Sequence, residues 1–260
     1  MLSSISKNEI NFSESNLPQS IEYLIASLLS SENLTPELVR QLILDANIQE
    51  DDLLLWETFN HPVTHGYGRK LVFDGGYFEI MVMSWRPGDF SAIHDHGFTQ
   101  WGAVQSFGRA RHISYELKEN ILKTQHQMWF EPHQVVTVNH DLIHQMGNQT
   151  DEYFLSLHVY GCNDRYGGIT SDARIFDLWE GSIQSTNGGV FFCLPETEIS
   201  QRQYNLQGDL SSTLLHHQLM LDRINYILED SDSCSYAWKL RAELLESKIK
   251  QIIWQINSYY

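Results

Sequence analysis

The sequence predicts a mainly β fold, a sandwich or barrel of short strands with helical segments at both ends. Short apolar runs separated by turn residues lie between residue 67 and about residue 195, a pattern typical of sandwiches and barrels. Apolar residues at helical spacing occur in the two end segments. We therefore divide the chain into an N-terminal helical segment that packs on the barrel (1–60), the barrel with the functional site (61–200) and a C-terminal helical segment (201–260).

The N-terminal segment is predicted to contain two helices. The first carries apolar residues at helical spacing, namely Ile21, Leu24, Ile25, Leu28 and Leu29. Thr35 followed by Pro36 is typical of an N-cap with proline at the first helical position. A second helix is therefore expected from Glu37 to Ala46.

The barrel segment is predicted to contain short strands bounded by turns such as Asp74-Gly75-Gly76 and Pro87-Gly88. The expected strands are Tyr67–Asp74, Tyr77–Trp85, Trp101–Phe107, Arg111–Leu117, Gln125–Glu131, Gln134–Val138 and Tyr153–Tyr160. Residues 177–192 are interpreted as a loop and strand that cover one end of the barrel.

The C-terminal segment is predicted to contain two amphipathic helices, Leu214–Leu228 and Ala237–Ile256. The sequence leaves open whether they pack on the barrel or pair with another chain. It therefore leaves the oligomeric state open as well.

Charge and composition exclude several classes of partner. The formal net charge is -16, from 33 acidic and 17 basic residues, which argues against neutralisation of nucleic-acid phosphates and against anionic membranes. No apolar run approaches the roughly 18–20 residues that span a bilayer, and the N-terminus has no signal-peptide pattern. Cys162, Cys193 and Cys234 are far apart, which favours reduced thiols and a cytoplasmic location.

Histidines at three positions indicate a metal centre. His94 and His96 are one residue apart, so on a strand their side chains point to the same face. His144, supplied by a later strand, can complete a set of three imidazoles. Imidazole is a suitable ligand for iron, zinc, copper and nickel.

The surroundings of these histidines resemble the two cupin motifs. Gly88, five further residues and His94-x-His96 match the first motif, which ends at Gly108, and His144-x-x-x-Asn148 matches the end of the second. The glutamate that usually follows as the fourth ligand is absent, because Gln100 and Trp101 stand there. This carboxylate-free set is similar to that of the cysteine dioxygenase family of thiol dioxygenases. The resemblance implies a cupin barrel, a jelly-roll-like double-stranded β-helix, with N- and C-terminal helices.

Two further segments strengthen the resemblance. Ser156, His158 and Tyr160 lie at alternate positions of one predicted strand and hence share a face; they resemble the Ser-His-Tyr relay of the family. A buried polar row is costly unless its members are hydrogen-bonded, so the three side chains are expected to orient one another. Tyr67-Gly68-Arg69 resembles the segment that supplies the arginine for the substrate carboxylate, and the planar guanidinium suits that task.

Trp101 departs from the family pattern. Animal cysteine dioxygenases have at this place a cysteine linked to the tyrosine, and bacterial ones commonly have glycine. None of the three cysteines is at the matching position, so no such crosslink is expected. Trp101 is interpreted as a substrate-pocket residue that narrows the pocket, or as a core residue that turns aside and leaves room at Gly102.

The resemblance implies an Fe(II)-dependent oxidoreductase that converts L-cysteine and O2 to cysteine sulfinate. The metal ligands would be His94, His96 and His144, with Tyr160, His158 and Ser156 as catalytic residues and Arg69, Tyr67 and Trp101 as substrate contacts. Another small thiol, such as 3-mercaptopropionate or cysteamine, is the first alternative. A non-enzymatic metal-binding cupin is the second, and zinc bound by three histidines and water stays possible.

The other histidines are interpreted as surface or loop residues, and Asp95 as a structural group rather than a ligand. These histidines are His61, His65, His112, His126, His133, His140, His216 and His217.

Overall fold

The computed structural model describes residues 17–187, 189–230 and 236–258. The helices are α1 (Gln19–Ser30), α2 (Pro36–Ala46), α3 (Leu210–Asp230) and α4 (Tyr236–Ser258). The strands are β1 (Gly68–Asp74), β2 (Phe78–Trp85), β3 (Trp101–Ser106), β4 (Ala110–Lys118), β5 (Ile121–Phe130), β6 (Val135–Asn139), β7 (Ile143–Gly147), β8 (Phe154–Gly161), β9 (Ala173–Asp177), β10 (Ser182–Thr186), β11 (Ile199–Tyr204) and β12 (Gln207–Gly208). Short 3-10 helices span Glu50–Trp56 and Glu196–Glu198.

The N-terminal helices pack on the outside of the barrel. The hydroxyl of Thr35 accepts a hydrogen bond from the backbone N–H of Leu38 at 3.2 Å, which is the N-cap predicted for α2. The apolar faces of α1 and α2 are buried in one cluster with the outward-facing side chains of the neighbouring sheet, including Leu155, Leu157 and Val159.

Two sheets enclose the interior of the barrel. One has the strand order β1-β2-β8-β3-β6 and the other β12-β5-β4-β7. Strands far apart in sequence are neighbours in both sheets, as the double-stranded β-helix requires. The predicted cupin barrel is therefore confirmed.

The sheet β11-β10-β9 extends the barrel beyond the strands predicted from sequence. Residues 90–94 connect it to β7, because His94 forms isolated bridges to both His144 and Ile175. Strand β11 crosses the segment boundary predicted at residue 200. The division of the chain into three segments remains a prediction.

The C-terminal helices form a hairpin against the barrel. Helix α3 packs on β5 and β12, and α4 packs on α3. Helix α3 begins at Leu210, four residues before the predicted start. Of the cysteines, Cys162 and Cys193 are free, and Cys234 lies outside the described residues. No described helix meets the length and apolarity needed to span a membrane.

Candidate metal centre

His94 and His144 are directly opposed backbone partners. The N–H of His94 donates to the carbonyl of His144 at 2.8 Å, and the N–H of His144 donates to the carbonyl of His94 at 2.9 Å. Residues that exchange both hydrogen bonds across antiparallel strands present their side chains to the same face. His96, two residues beyond His94, points to that face as well. All three imidazoles are buried.

The imidazole nitrogens of these residues converge on one point. One ligand atom from each of His94, His96 and His144 lies within 4.8 Å of the others, and the Nε2 atoms of His96 and His144 are 3.1 Å apart. The Nδ1 of His94 donates to the carbonyl of Ala92 at 2.9 Å, which leaves its Nε2 lone pair for a ligand. Among the histidine, cysteine, aspartate and glutamate side chains of the described residues, these three histidines are the group that could hold a metal ion.

Burial keeps these imidazoles neutral. Desolvation lowers the pKa of His94 to about 4. Desolvation, followed by the neighbouring histidines, lowers the pKa of His96 and of His144 well below the ordinary value. Neutral imidazoles offer lone pairs to a cation, so three converging buried nitrogens without a carboxylate fit a divalent transition metal.

Asp95 is a structural group, as its position between the two ligands predicts. Its carboxylate accepts hydrogen bonds from the backbone N–H and the Nε of Arg174, at 2.8 Å and 2.6 Å. The Asp95 side chain therefore connects the segment that carries His94 and His96 to β9. It does not contribute to the group of converging imidazole nitrogens.

A directional hydrogen-bonded row runs beside the imidazoles along β8. The indole N–H of Trp85 donates to the Ser156 hydroxyl at 2.8 Å. The hydroxyl oxygen of Ser156 lies 2.7 Å from the Nε2 of His158. The Nδ1 of His158 lies 2.8 Å from the Tyr160 hydroxyl.

Trp85 determines the direction of this row. An indole nitrogen can only donate, so Ser156 accepts from it and has its own proton for the Nε2 of His158. Burial lowers the pKa of His158 to about 3, and the neutral ring then has its proton on Nδ1 and donates it to the oxygen of Tyr160. The phenol proton stays available on the cavity side, since burial also raises the pKa of Tyr160.

Arg69 and Tyr67 line a small cavity of about 30 Å³ next to His94, His96 and Tyr160. The Tyr67 hydroxyl accepts from the backbone N–H of Val190 at 3.1 Å, which braces the loop that closes the cavity. Burial raises the pKa of Tyr67 to about 12, so this hydroxyl is protonated at neutral pH.

The guanidinium of Arg69 is held on one side. Its NH2 lies 4.0 Å from a carboxylate oxygen of Glu79 and 3.4 Å from the Thr170 hydroxyl. Thr170 in turn donates to Glu79 at 3.0 Å. Sequence reasoning missed Glu79, although its alternation with Met81 and Met83 along β2 places these three side chains on one face.

Trp101 is buried in the core, which is the second of the two positions predicted for it, and it does not line the cavity beside Arg69 and Tyr67. Its indole is buried in the cluster with α1 and α2 and donates to the Asn163 side chain at 2.9 Å. Gly102 is the residue paired with Tyr160 across β3 and β8. A Cβ at Gly102 would lie 2.6 Å from the Val159 carbonyl and 2.7 Å from the Tyr160 ring, so glycine leaves room for the phenol.

Several histidines predicted at the surface are buried, which corrects that interpretation: His61, His112, His216 and His217. His61 lies 2.9 Å from Asp89. The Nε2 of His112 lies 2.8 Å from the Nδ1 of His144, directly behind a candidate ligand. Both faces of strand β4 carry buried residues, His112 on one and Ile113 on the other, so alternation could not separate an inward histidine from an outward one.

Comparison with known proteins relates the chain to one enzyme family. The family model described as cysteine dioxygenase type I matches residues 10–164, more than half of the chain. A curated relative, cysteine dioxygenase type 1 of Danio rerio, is 26% identical over 153 residues, which cover 55% of this chain and 75% of the relative.

Solved cupin structures are also similar to this chain. A Cupin 2 conserved barrel domain protein from Salinispora arenicola has 19% identity and a TM-score of 0.29, covering 38% of this chain and 79% of its own. A double-stranded β-helix protein from Klebsiella pneumoniae has 14% identity and a TM-score of 0.35, covering 45% of this chain and 85% of its own.

Proposed function

This chain belongs to the cysteine dioxygenase type I family, and we propose from that premise that it is an Fe(II)-dependent thiol dioxygenase acting on L-cysteine. The net reaction RSH + O2 → RSO2H is balanced without a further reductant, and its product from L-cysteine is cysteine sulfinate. The observation that carries the proposal is the set of three buried, neutral, converging imidazoles with no carboxylate among them.

His94, His96 and His144 would hold the iron. When bound, Fe(II) supplies the redox chemistry that joins O2 to the thiol sulfur. Three neutral ligands add no negative charge, so the centre would keep its full cationic charge and favour the thiolate form of the substrate. The absence of a ligating carboxylate therefore supports a thiol as the substrate.

Arg69 would bind the substrate carboxylate with the part of its guanidinium that Glu79 and Thr170 do not hold. The guanidinium is partly exposed, lines the cavity and has planar N–H donors suited to two parallel hydrogen bonds. This contact would orient the thiol relative to the imidazoles.

Tyr160 would donate a hydrogen bond from its phenol oxygen to the reacting group. Its ring centroid is 5.0 Å from that of His96, and the row Trp85, Ser156, His158 fixes which way its proton points. His158 and Ser156 are thus positioning residues, and Tyr160 is the one that reaches the cavity.

The experiment is a thiol panel with the purified chain loaded with Fe(II). L-cysteine should cause O2 consumption and yield cysteine sulfinate, and His144→Ala should lose both the iron and the activity. If no thiol in the panel causes O2 consumption, the dioxygenase proposal is refuted. Tightly bound zinc without turnover would instead favour a non-enzymatic or hydrolytic cupin.

A carboxylate-free aminothiol such as cysteamine is the second candidate. Glu79 lies 4.0 Å from the Arg69 guanidinium and is itself mostly buried, so Arg69 keeps a counter-charge when the substrate has no carboxylate. The same panel separates the two candidates, because a cysteamine dioxygenase would show a higher kcat/KM for cysteamine than for L-cysteine.

A further inference from the structure

His112 lies behind His144, on the side away from the converging nitrogens. Across the β4–β7 pair, Ser114 is directly opposite His144, and His112 is two residues farther along the same strand. Diagonal neighbours of this kind share a face and lie within reach of long side chains. The His112 ring is buried and stacks on Phe130, with ring centroids 4.6 Å apart.

The contact between the two histidines has a defined direction when a metal is bound. His144 points its Nε2 into the cluster, 3.1 Å from the Nε2 of His96, so a neutral His144 ligand carries its proton on Nδ1. That Nδ1 lies 2.8 Å from the Nε2 of His112. His144 therefore donates, the Nε2 of His112 accepts, and the proton of His112 is on its own Nδ1.

We propose that His112 is a positioning residue for the metal centre, which holds His144 in the tautomer and ring orientation that present Nε2 to the metal. The inference rests on the three-histidine site of the proposed function and is independent of the substrate. A ligating histidine usually donates its outer N–H to a carboxylate, a backbone carbonyl or water. His94 follows that rule through the carbonyl of Ala92, and His112 performs the same task for His144.

A histidine acceptor differs from a carboxylate acceptor in its charge. A carboxylate behind His144 would increase negative charge on the ligand and weaken the cationic character of the centre. His112 accepts the hydrogen bond through the lone pair of its Nε2, so its ring is neutral in this arrangement. It orients His144 without that change, in keeping with a centre whose ligands carry no negative charge.

Metal affinity tests the proposal without thiol or O2. His112→Phe keeps a ring to stack on Phe130 but has no acceptor, and His112→Gln offers an amide oxygen. The control is His126→Phe, at an exposed histidine on the neighbouring strand β5. We expect Co(II) to bind about 10- to 100-fold more weakly to His112→Phe, and to bind His112→Gln and His126→Phe within a few-fold of the wild type. Wild-type affinity in His112→Phe, or equal weakening in His112→Gln, would overturn the proposal.

A measurement on the unmodified protein covers the case in which the variants do not fold. In the zinc-loaded chain, nitrogen-15 NMR should show His112 protonated on Nδ1 and unprotonated on Nε2. The opposite tautomer would overturn the proposal. A chain that passes both tests but consumes O2 with no small thiol would refute the dioxygenase proposal and leave the role of His112 unchanged.

Discussion

The guanidinium of Arg223 on α3 donates a 2.7 Å hydrogen bond to the carboxylate of Asp89, and both side chains are fully buried. Arg223 also donates to the carbonyls of Gly88 and Val63. The other oxygen of Asp89 lies 2.9 Å from His61. This pair fastens the C-terminal hairpin to the segment that precedes the ligands His94 and His96.

Removal of the arginine should destabilise the chain strongly. Arg223→Met leaves Asp89 buried without its main counter-charge, and breaking a buried pair in this way costs about 3–5 kcal/mol. The free energy of unfolding in urea measures the effect. Arg109→Met, which breaks a pair exposed on both sides, is the control and should change stability by less than about 1 kcal/mol. Equal effects in the two variants would contradict the importance of the Arg223–Asp89 pair.

Trp85→Phe should impair turnover more than substrate binding. The variant removes the donor to Ser156, so the direction of the row to Tyr160 is no longer fixed. One hydrogen bond corresponds to about 0.5–1.5 kcal/mol, so kcat should fall about 2- to 13-fold with KM and iron content nearly unchanged. Trp101→Phe is the matched control, because the Trp101 indole lies in the apolar cluster with α1 and α2 and takes no part in the row to Tyr160. A larger kinetic effect of Trp101→Phe would reverse the assignment of the two tryptophans.

Glu79→Gln should strengthen the binding of thiols that carry a carboxylate. The change frees the Arg69 guanidinium from a partial counter-charge 4.0 Å away. We expect KM for L-cysteine to fall about two- to fivefold, with kcat unchanged and no such gain for cysteamine. Steady-state kinetics with both thiols measure this. A rise in KM for L-cysteine would mean that Glu79 chiefly orients Arg69.

His216 should contribute to acid sensitivity. Burial, and after it the nearby Arg241, lowers the pKa of His216 from 6.5 to about 3. As pH falls below 6.5, the unfolded chain binds a proton on this imidazole and the folded chain does not until about pH 3, so the free energy of unfolding falls over that interval. The loss amounts to about 2 kcal/mol at about pH 4.5.

His216→Asn should therefore lose less stability on acidification. Urea unfolding at about pH 7 and about pH 4.5 measures the difference for the wild type and the variant. His126→Asn, at an exposed position, is the control. An unchanged pH dependence in His216→Asn would show that this histidine is not a source of the acid sensitivity.

Local patterns in the sequence predict the barrel and most of the site. Alternation along one strand predicts the shared face of Ser156, His158 and Tyr160, and their hydrogen bonds agree with it. The resemblance to the two cupin motifs, rather than a local pattern, predicts that His94 and His144 meet although they lie on separate segments of the chain.

Contacts between distant segments could not be predicted in the same way. The partners Asp89 and Arg223 are 134 positions apart, and a single sequence does not reveal which acid meets which base. The same limit applies to His112, whose strand is covered on both faces. For Trp101, motif spacing predicts its place on the strand but not the side of the sheet that its side chain faces. A shift of one residue in register decides whether that side chain points to the pocket or to the core.

Gly102 constrains how this site can change over generations. A methyl group at position 102 has no room while the Tyr160 ring keeps its place, since the two would lie 2.7 Å apart. A lineage that gains a side chain here must move the phenol, rebuild its hydrogen bond from His158 and also shift the backbone carbonyl of Val159, which would lie 2.6 Å from the added Cβ. Position 102 is therefore expected to stay glycine as long as β3 and β8 keep their pairing beside Tyr160.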